Sequence, residues 1–276
     1  MSNAPVTPVF LMHLLRAMRA VVGREINKFL RQPSRLASAL VRPLLWFVVF
    51  SAGFHNVFGV SIVPPYETYV EYQVYMVPGL LGMVALFNGM QSSLSMVYDR
   101  EMGVMRLLLT APLPRGWLLA FKLMGGTSLS LLQMIVFLLI ALAFGVEFSW
   151  THLPLLLLAM VAGATLLAAV GLMLSVYIKQ LENFAGTMNF VIFPMFFISP
   201  ALYPLWKLDE SGAWWLLTLA QWNPFTHVVE VIRFAMYGQV NMLSWLVVVA
   251  GATVFFCLAW WGYDPQRGWI KQRGAA

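Results

Sequence analysis

Charge is scarce in this sequence. Only 10% of its 276 residues are Asp, Glu, Lys or Arg, whereas 61% are hydrophobic, and the mean hydropathy is +0.78. A soluble domain carries roughly 25% charged residues, so this composition excludes a soluble protein and indicates an integral membrane protein. Cysteine is also scarce. The single Cys257 lies in the last apolar run, and an intrachain disulfide is therefore excluded.

The sequence also lacks the short motifs of several enzyme classes. It has no G-x-x-x-x-G-K-[ST] loop, no H-E-x-x-H, no cysteine cluster and no G-x-S-x-G. We therefore expect no catalytic residue, no metal site and no cofactor bound by this chain, and a coupled energy source would come from a partner or from ions. His227 and Glu230 have the spacing of a metal pair, but ordinary interfacial polar residues are the default interpretation.

Long apolar runs predict the fold. A run of about 20 residues is enough for a helix to cross about 30 Å of hydrocarbon, and 11 Trp suit a chain that meets both membrane interfaces many times. We predict one all-α, polytopic membrane domain over residues 1–276, with six transmembrane helices. The spans are expected near residues 37–59, 75–97, 117–144, 153–177, 184–204 and 242–262.

Residues 9–32 predict an amphipathic helix ahead of the first span, and Pro33 would end it. One stripe is apolar, whereas the other is basic and polar. The basic stripe contains Arg16, Arg19, Arg24, Asn27 and Arg31. Such a helix is expected to lie in the membrane interface. The alternative is a soluble-facing helix that packs on its own protein.

Residues 205–241, before the last span, are semi-polar and rich in Trp. The pair Asn223-Pro224 predicts a helix start, because Asn is a good N-cap and Pro suits the first helical position. Two full spans would not fit in this length. We therefore predict an outer re-entrant or surface helical hairpin.

The basic residues predict the orientation. Fifteen of the 17 Lys and Arg residues fall on one side of the predicted spans, and only Lys207 and Arg233 fall on the other. Because cytoplasmic loops are enriched in Lys and Arg, both termini are predicted to be cytoplasmic. The net charge of +6 is thus explained without a nucleic-acid partner.

Polar and aromatic side chains within the spans are candidates for a translocation path. They are Trp46, Phe50, Asn88, Gln91, Asn189, Phe190, Phe193 and Phe197. Small polar groups also serve as hydrogen bonds between helices, which is the more ordinary interpretation of each one. Aromatic stripes likewise occur on faces that contact lipid or a second copy, so these alternatives remain open.

A charged segment, residues 98–115, separates the second and third spans. It begins Asp99-Arg100-Glu101-x-Gly103 and continues through Arg106 to Leu107-Leu108-Leu109-Thr110-Ala111-Pro112. We expect a helix here, with Asp99 and Glu101 favouring its start and Arg106 its later part. A rigid charged element beyond the bilayer predicts a docking place for a partner.

With this topology, the chain resembles the permease subunits of the ABC type-2 exporter family over nearly its whole length. The resemblance rests on the predicted topology, on the segment just quoted and on the helix from Asn223-Pro224 to Arg233. It implies that Asp99, Arg100, Glu101, Gly103 and Arg106 couple to a separate ATPase subunit. Arg24 and Lys28 of the interfacial helix would lie near that subunit or lipid headgroups.

The resemblance also implies which subunits the chain works with and in which membrane it resides. Two permease copies, as a homodimer or with a sister permease, would work with two ABC ATPase subunits that bind ATP and Mg²⁺. The first and fifth spans would form the seam between permeases, and the 205–241 hairpin would cap the exit. A bacterial inner membrane is expected, and the cargo would be amphipathic, lipid, glycan or drug-like. The alternatives are an ion-coupled carrier and an intramembrane lipid-modifying enzyme.

Overall fold

The computed structural model describes residues 8–31, 33–54, 59–60, 64–66, 70–103, 115–178 and 180–263. These residues are almost entirely helical. The helices are α1 (Pro8–Leu30), α2 (Pro33–Phe54), α3 (Tyr72–Glu101), α4 (Arg115–Ala143), α5 (Leu153–Tyr177), α6 (Leu181–Phe197), α7 (Trp206–Glu210), α8 (Trp214–Trp222), α9 (Pro224–Met236) and α10 (Met242–Gly262). A 3-10 turn at Trp150–His152 precedes α5. Two short strands, β1 (Gly59–Val60) and β2 (Val70–Glu71), pair antiparallel, with Gly59 opposite Glu71.

The prediction of an all-α polytopic membrane protein is confirmed. Within the described residues, the helical segments long and apolar enough to cross a membrane are Tyr72–Glu101, Gly116–Ala143, Trp150–Tyr177 and Met242–Gly262. The other two predicted spans correspond to shorter apolar elements. In α2 the apolar part is Leu40–Gly53, and α6 has 17 residues. The count of six spans therefore stays a prediction.

Three predicted boundaries are wrong. The first span was expected to reach residue 59, but α2 ends at Phe54 and Gly59 belongs to β1. The second span was expected to end near residue 97, but α3 stays helical to Glu101, where Gly103 with φ +73° lets the chain turn. The fifth span was expected to reach residue 204, but α6 ends at Phe197. Pro200 explains that early end, because proline cannot donate a helical hydrogen bond and disfavours helical geometry in the residue before it.

Helix α3 forms the centre of the molecule. Its residues from Tyr75 to Met90 are buried, and they pack mainly against α5, with α4, α2, α9 and α6 around them. Glycines bring α3 and α5 into backbone contact. A Cβ on Gly171 would lie 2.7 Å from the Gly89 carbonyl oxygen, and a Cβ on Gly89 would lie 2.9 Å from backbone atoms of Leu167. The small residues thus allow the close backbone approach that is typical of helix interfaces in membrane proteins.

Helix α9 lies inside the bundle although it has only 13 residues. Phe225 and Val228 near its start occupy the space above two glycines, Gly82 of α3 and Gly163 of α5. The predicted cap at Asn223 is present, since its side chain accepts a hydrogen bond from the Phe225 backbone N–H at 3.0 Å. The region 205–241 therefore contains three short helices, α7, α8 and α9, of which α9 is largely buried.

The bundle has two chemically different ends. At one, α1 packs beside α4, and the end of α3 meets the ends of α5 and α6; we call this the basic end. At the opposite end, Tyr72 and Tyr75 at the start of α3 donate to the carbonyls of Leu202 and Pro200, in the segment that leads to α7 and α8, and α8 contacts α9; we call this the tryptophan-rich end. The packing of α1 on α4 agrees with the alternative that this helix rests on its own protein, and the described contacts leave one face of it exposed.

Candidate functional site

Three consecutive charged residues at the end of α3 each contact a different part of the basic end. Asp99 pairs with α4 and α1, Arg100 binds the end of α5, and Glu101 binds the start of α6. We call these three residues, with Arg24, Glu25 and Lys122, the basic junction. Four helices around α3 are thereby linked to its last turn.

Lys122 is the centre of the ion pairs. Its Nζ lies 3.0 Å from Asp99 Oδ2 and 3.0 Å from Glu25 Oε1, and Arg24 Nη2 lies 3.9 Å from Asp99 Oδ1. Asp99, Lys122 and Glu25 are largely buried, whereas the Arg24 side chain is half exposed. Buried charges need such partners, because loss of one partner leaves the others uncompensated in a low-dielectric environment. The cluster therefore fixes α1 and α4 to α3.

Arg100 and Glu101 cap two successive helices. Arg100 Nη2 donates to the Ser175 carbonyl oxygen at 2.8 Å, in the last turn of α5. Glu101 Oε1 accepts from the Leu181 backbone N–H at 2.9 Å, at the first residue of α6. Each charge matches the partial charge of the helix end that it meets, since C-termini favour cations and N-termini favour anions. The residue before α6, Gln180, makes no side-chain cap of its own.

Three of the described side chains at the end of α3 face outward. Tyr98 is 45% exposed and Met102 is 60% exposed, and Glu101 is exposed as well. Asp99, by contrast, is 4% exposed. The described chain stops at Gly103 and resumes at Arg115, so the predicted coupling residue Arg106 lies outside the described residues, as does the side chain of Lys28.

One expectation about this segment is wrong. Asp99 and Glu101 were expected to open a helix, but they belong to the last turn of α3. The buried Met96 and Val97 continue the apolar face of α3, so helical geometry persists through the charged residues. The predicted contact of Asp99, Arg100, Glu101 and Gly103 with an ATPase stays a prediction.

Two members of the junction were not predicted from the sequence. Glu25 and Lys122 were not singled out, although a signal for each existed. Lys122 lies just inside the third apolar run, and a lysine at such a position needs a partner. Glu25 is the sole acidic residue of α1, a helix whose other charges are basic. Either feature could have suggested an ion pair with Asp99.

The aromatic candidates of α2 and α6 lie together. The Trp46 ring stacks on Phe50 at 4.9 Å and meets the edges of Phe196 and Phe197, both with centroids at 5.8 Å. Phe193 stacks on Phe197 at 6.3 Å. Such pairs add modest stabilisation beyond packing area. Four of the predicted path residues thus form one aromatic cluster between α2 and α6.

The remaining candidates separate into two groups. On α6, Asn189 and Phe190 share the exposed face with Phe193 and Phe197, and Phe190 is 80% exposed. Asn88 instead lies inside the bundle, where its side-chain amide donates to Gln133 of α4. Gln91 is half-buried on α3. The Asn88 contact is the helix-to-helix hydrogen bond that was the alternative to a path role.

A second charged cluster lies at the tryptophan-rich end. Arg233 of α9 is buried, pairs with Glu230, donates to the Pro200 carbonyl and stacks 4.3 Å from the centre of the Tyr75 ring. Burial raises the pKa of the nearby Tyr66 phenol above its ordinary value, and Arg233 acts in the opposite direction. Burial is the larger effect, so the net pKa shift is upward and Tyr66 stays protonated at neutral pH.

The arrangement around His227 disfavours the metal-pair interpretation. Its Nε2 lies 3.0 Å from the Gln221 carbonyl oxygen, its Nδ1 lies 3.3 Å from the Ser244 hydroxyl, and Glu230 is paired with Arg233. Within the part of the chain that the structure describes, no group of three or more His, Cys, Asp or Glu side chains could hold a metal ion.

Comparison with known proteins adds independent support for a transport role. The chain is 25% identical over 267 residues to the putative transport permease ycf38 of Pyropia yezoensis, covering 92% of this chain and 88% of that protein. It is 29% identical over 243 residues to ycf38 of Cyanophora paradoxa, with coverage of 84% and 77%. It is 26% identical over 253 residues to the inner membrane transport permease YadH of Escherichia coli K12, with coverage of 91% and 94%.

A match to a protein-family model assigns the chain to a family. Residues 16–237 match the model of the ABC-2 type transporter, and this match extends from α1 through α9 and includes both charged clusters. Members of this family are transport components, generally non-catalytic, that normally work with an ATPase subunit. The chain therefore belongs to the ABC-2 type transporter family, as a membrane-spanning permease.

Proposed function

We propose that this chain is the membrane-spanning permease subunit of an ATP-driven exporter, without catalytic residues of its own. A separate ABC ATPase subunit binds ATP and Mg²⁺ and hydrolyses the nucleotide. The basic junction carries this proposal. It links α1, α4, α5 and α6 to the end of α3, where the charged segment 98–115 leaves the bundle. A push on that segment would reach four helices through charged contacts.

The ATPase docks on the exposed tip of α3 and on the segment that follows it. Tyr98 and Met102 stand one helical turn apart and expose apolar surface at the end of α3. An aromatic ring and a methionine in one small area make a favourable protein contact, whereas the Glu101 carboxylate is engaged within the chain by the Leu181 N–H. Asp99 contributes from inside the chain, by holding α4 and α1 in place.

The cargo path lies between two copies of the permease. The outward faces of α2 and α6 support this arrangement, since Val41, Leu45, Val48 and Val49 are exposed on α2 beside the aromatic face of α6. A second copy placed there buries both faces and leaves Asn189, Phe190, Phe193 and Phe197 along the seam. Aromatic walls suit an amphipathic, lipid, glycan or drug-like cargo.

The complex resides in a bacterial inner membrane, with both termini in the cytoplasm. The bias of Lys and Arg toward the basic end supports this orientation, and YadH, similar over most of the chain, is named an inner membrane protein. The basic end would then face the cytosolic ATPase, and the tryptophan-rich end would face outward.

The docking surface can be tested by co-purification. We expect the double variant Tyr98→Ser, Met102→Ser to lose most of its ATPase subunit, because the apolar contact at the tip is removed. Trp222→Ser is the matched control, since Trp222 is 84% exposed at the end of α8 and belongs to the opposite, tryptophan-rich end. A double variant that retains its ATPase in normal amount would contradict docking at this tip.

A further inference from the structure

The turn between α5 and α6 is held by two adjacent residues of α3. Arg100 binds the carbonyl of Ser175 before the turn, and Glu101 binds the N–H of Leu181 after it. Residues 80 positions apart in the sequence, Glu101 and Leu181, are therefore joined by one hydrogen bond. Arg100 and Glu101 act on different helices although they are neighbours.

The two helices differ in what else holds them. α5 is locked against α3 by the Gly89 and Gly171 backbone contact, and it also packs on α9 and α10. In α6 the buried side chains are Phe184, Ile192 and Phe196, and the opposite face is exposed. The start of α6 consequently depends on its polar contacts much more than the end of α5 does.

The far end of α6 is held firmly. The Asn223 side-chain amide donates to the carbonyls of Met195 and Ile198, at 2.7 and 2.6 Å. Directly after α6, the Pro200 carbonyl accepts from Arg233 and from the Tyr75 hydroxyl. Among the described contacts, the start of α6 is held by the Glu101 carboxylate and by the buried ring of Phe184. A helix that is fixed by several polar contacts at one end and by so few contacts at the other can swing about the fixed end.

We infer that Glu101 is the positioning residue that transmits movement of the α3 tip to α6. This inference rests on the proposed function, in which the ATPase moves that tip. Of the three charged residues at the tip, Asp99 acts on α4 and α1, and Arg100 acts on α5. Glu101 alone of these three binds α6, the helix that carries the exposed Phe190, Phe193 and Phe197.

The required property of Glu101 is a hydrogen-bond acceptor at a fixed place. Glu101→Gln keeps a carboxamide oxygen that can accept from Leu181, whereas Glu101→Ala keeps nothing that can. A control for loss of charge is Glu182→Ala, because Glu182 is an exposed acid in the first turn of the same helix. A docking role and a positioning role can then be separated, since only docking affects recovery of the ATPase.

The test is hydrogen–deuterium exchange on the permease–ATPase complex in lipid nanodiscs, with and without a non-hydrolysable ATP analogue. In the unmodified complex we expect the analogue to change exchange at residues 181–186 and to leave residues 192–197 unchanged. Glu101→Ala should retain the ATPase but lose the change at 181–186. Glu101→Gln and Glu182→Ala should keep it. Without nucleotide, Glu101→Ala should raise exchange at 181–186 by about fivefold, the effect of a lost helix cap.

Several results would overturn the inference. They are a nucleotide response that persists in Glu101→Ala, a response lost equally in Glu101→Gln or Glu182→Ala, or an ATPase lost from Glu101→Ala. Absence of any response at 181–186 in the unmodified complex would overturn it too. If the unmodified chain brought no ATPase at all, the proposed function itself would fail, and that outcome is recognised before any variant is compared.

Discussion

Helices α5 and α6 follow one another in the chain, yet they are stabilised in opposite ways. α5 has 25 residues, and its middle is buried by α3, α9 and α10. α6 has 17 residues and one buried face, and its two ends are tied by Glu101 and Asn223. Side-chain packing fixes α5 along its length, whereas polar contacts fix α6 mainly at its ends.

The glycines of the two helices show the same difference. A Cβ on Gly171 of α5 would meet the Gly89 carbonyl at 2.7 Å, whereas a Cβ on Gly186 of α6 would meet nothing within 4 Å. The interior of α5 therefore has no room for displacement relative to α3. α6 has open space beside it, which suits a helix that moves or receives a second copy.

The largest loss of stability is expected for the ion cluster of Lys122, Asp99 and Glu25, which holds α4 and α1 against α3. Lys122→Met removes the partner of both Asp99 and Glu25 and leaves two buried carboxylates near each other. We expect a loss of about 3 kcal/mol, as for other buried pairs that lose one member. Thermal unfolding in detergent measures it, with the exposed Arg19→Ala as control. Equal stability of the two variants would show that the cluster does not anchor α4.

The next largest loss of stability is expected from a substitution that disturbs the packing of α5 on α3. Gly171→Ala forces a Cβ against the α3 backbone, and we expect a cost of about 2 kcal/mol from overpacking. Gly186→Ala in α6 should be neutral or stabilise by up to about 1 kcal/mol, because alanine favours a helix and the site is open. Thermal unfolding of both variants makes the comparison. Equal destabilisation would contradict the distinction between the helices.

A smaller effect is expected at the fixed end of α6. Asn223→Ala loses the cap of α9 and leaves the carbonyls of Met195 and Ile198 without the Asn223 donor. We expect a loss of about 1.5 kcal/mol. Asn223→Asp should lose at least as much, because it can still accept from Phe225 but places a carboxylate oxygen against the two carbonyl oxygens. Unfolding midpoints test this, and an aspartate variant as stable as the unmodified protein would contradict the double role.

The smallest change in stability is expected on the exposed face of α6. Phe190→Ala should alter the stability of the single chain by less than about 0.5 kcal/mol, because the ring is 80% exposed. It should instead change which amphipathic substrates stimulate ATP hydrolysis, or weaken the association of two permeases. Phe196→Ala, the control that removes a buried ring from the same helix, should cost about 3 kcal/mol. Unchanged stimulation and unchanged association would remove Phe190 from the path.

The sequence predicts these two helices unequally well. The predicted span at 153–177 coincides with α5. A long apolar run inside a membrane forms a helix because only a helix satisfies all of its backbone hydrogen bonds within the segment. The last span coincides with α10, and the Asn223-Pro224 start of α9 is also correct, since capping is a local property. For α6, a run of mixed polar and apolar residues predicts its existence but not its ends.

The basic junction shows where local reasoning stops. The charged residues 99–101 could be recognised as unusual from the sequence, but their partners are distant along the chain. Arg100 and Glu101 bind backbone groups at helix ends, and any residue could supply those groups. No side-chain pattern reveals such a contact. Asp99 and Lys122 are different, because two opposite charges near the ends of adjacent apolar runs do suggest a pair.

The central claim is that an ATPase acts on this chain at the end of α3. The most direct measurement is affinity purification of the solubilised protein from its native membrane, with identification of the proteins that accompany it. The account predicts an ABC ATPase subunit in a one-to-one ratio, reduced in the Tyr98→Ser, Met102→Ser variant and normal in Trp222→Ser. Recovery of the folded permease alone, with no ATPase under gentle conditions, would contradict it.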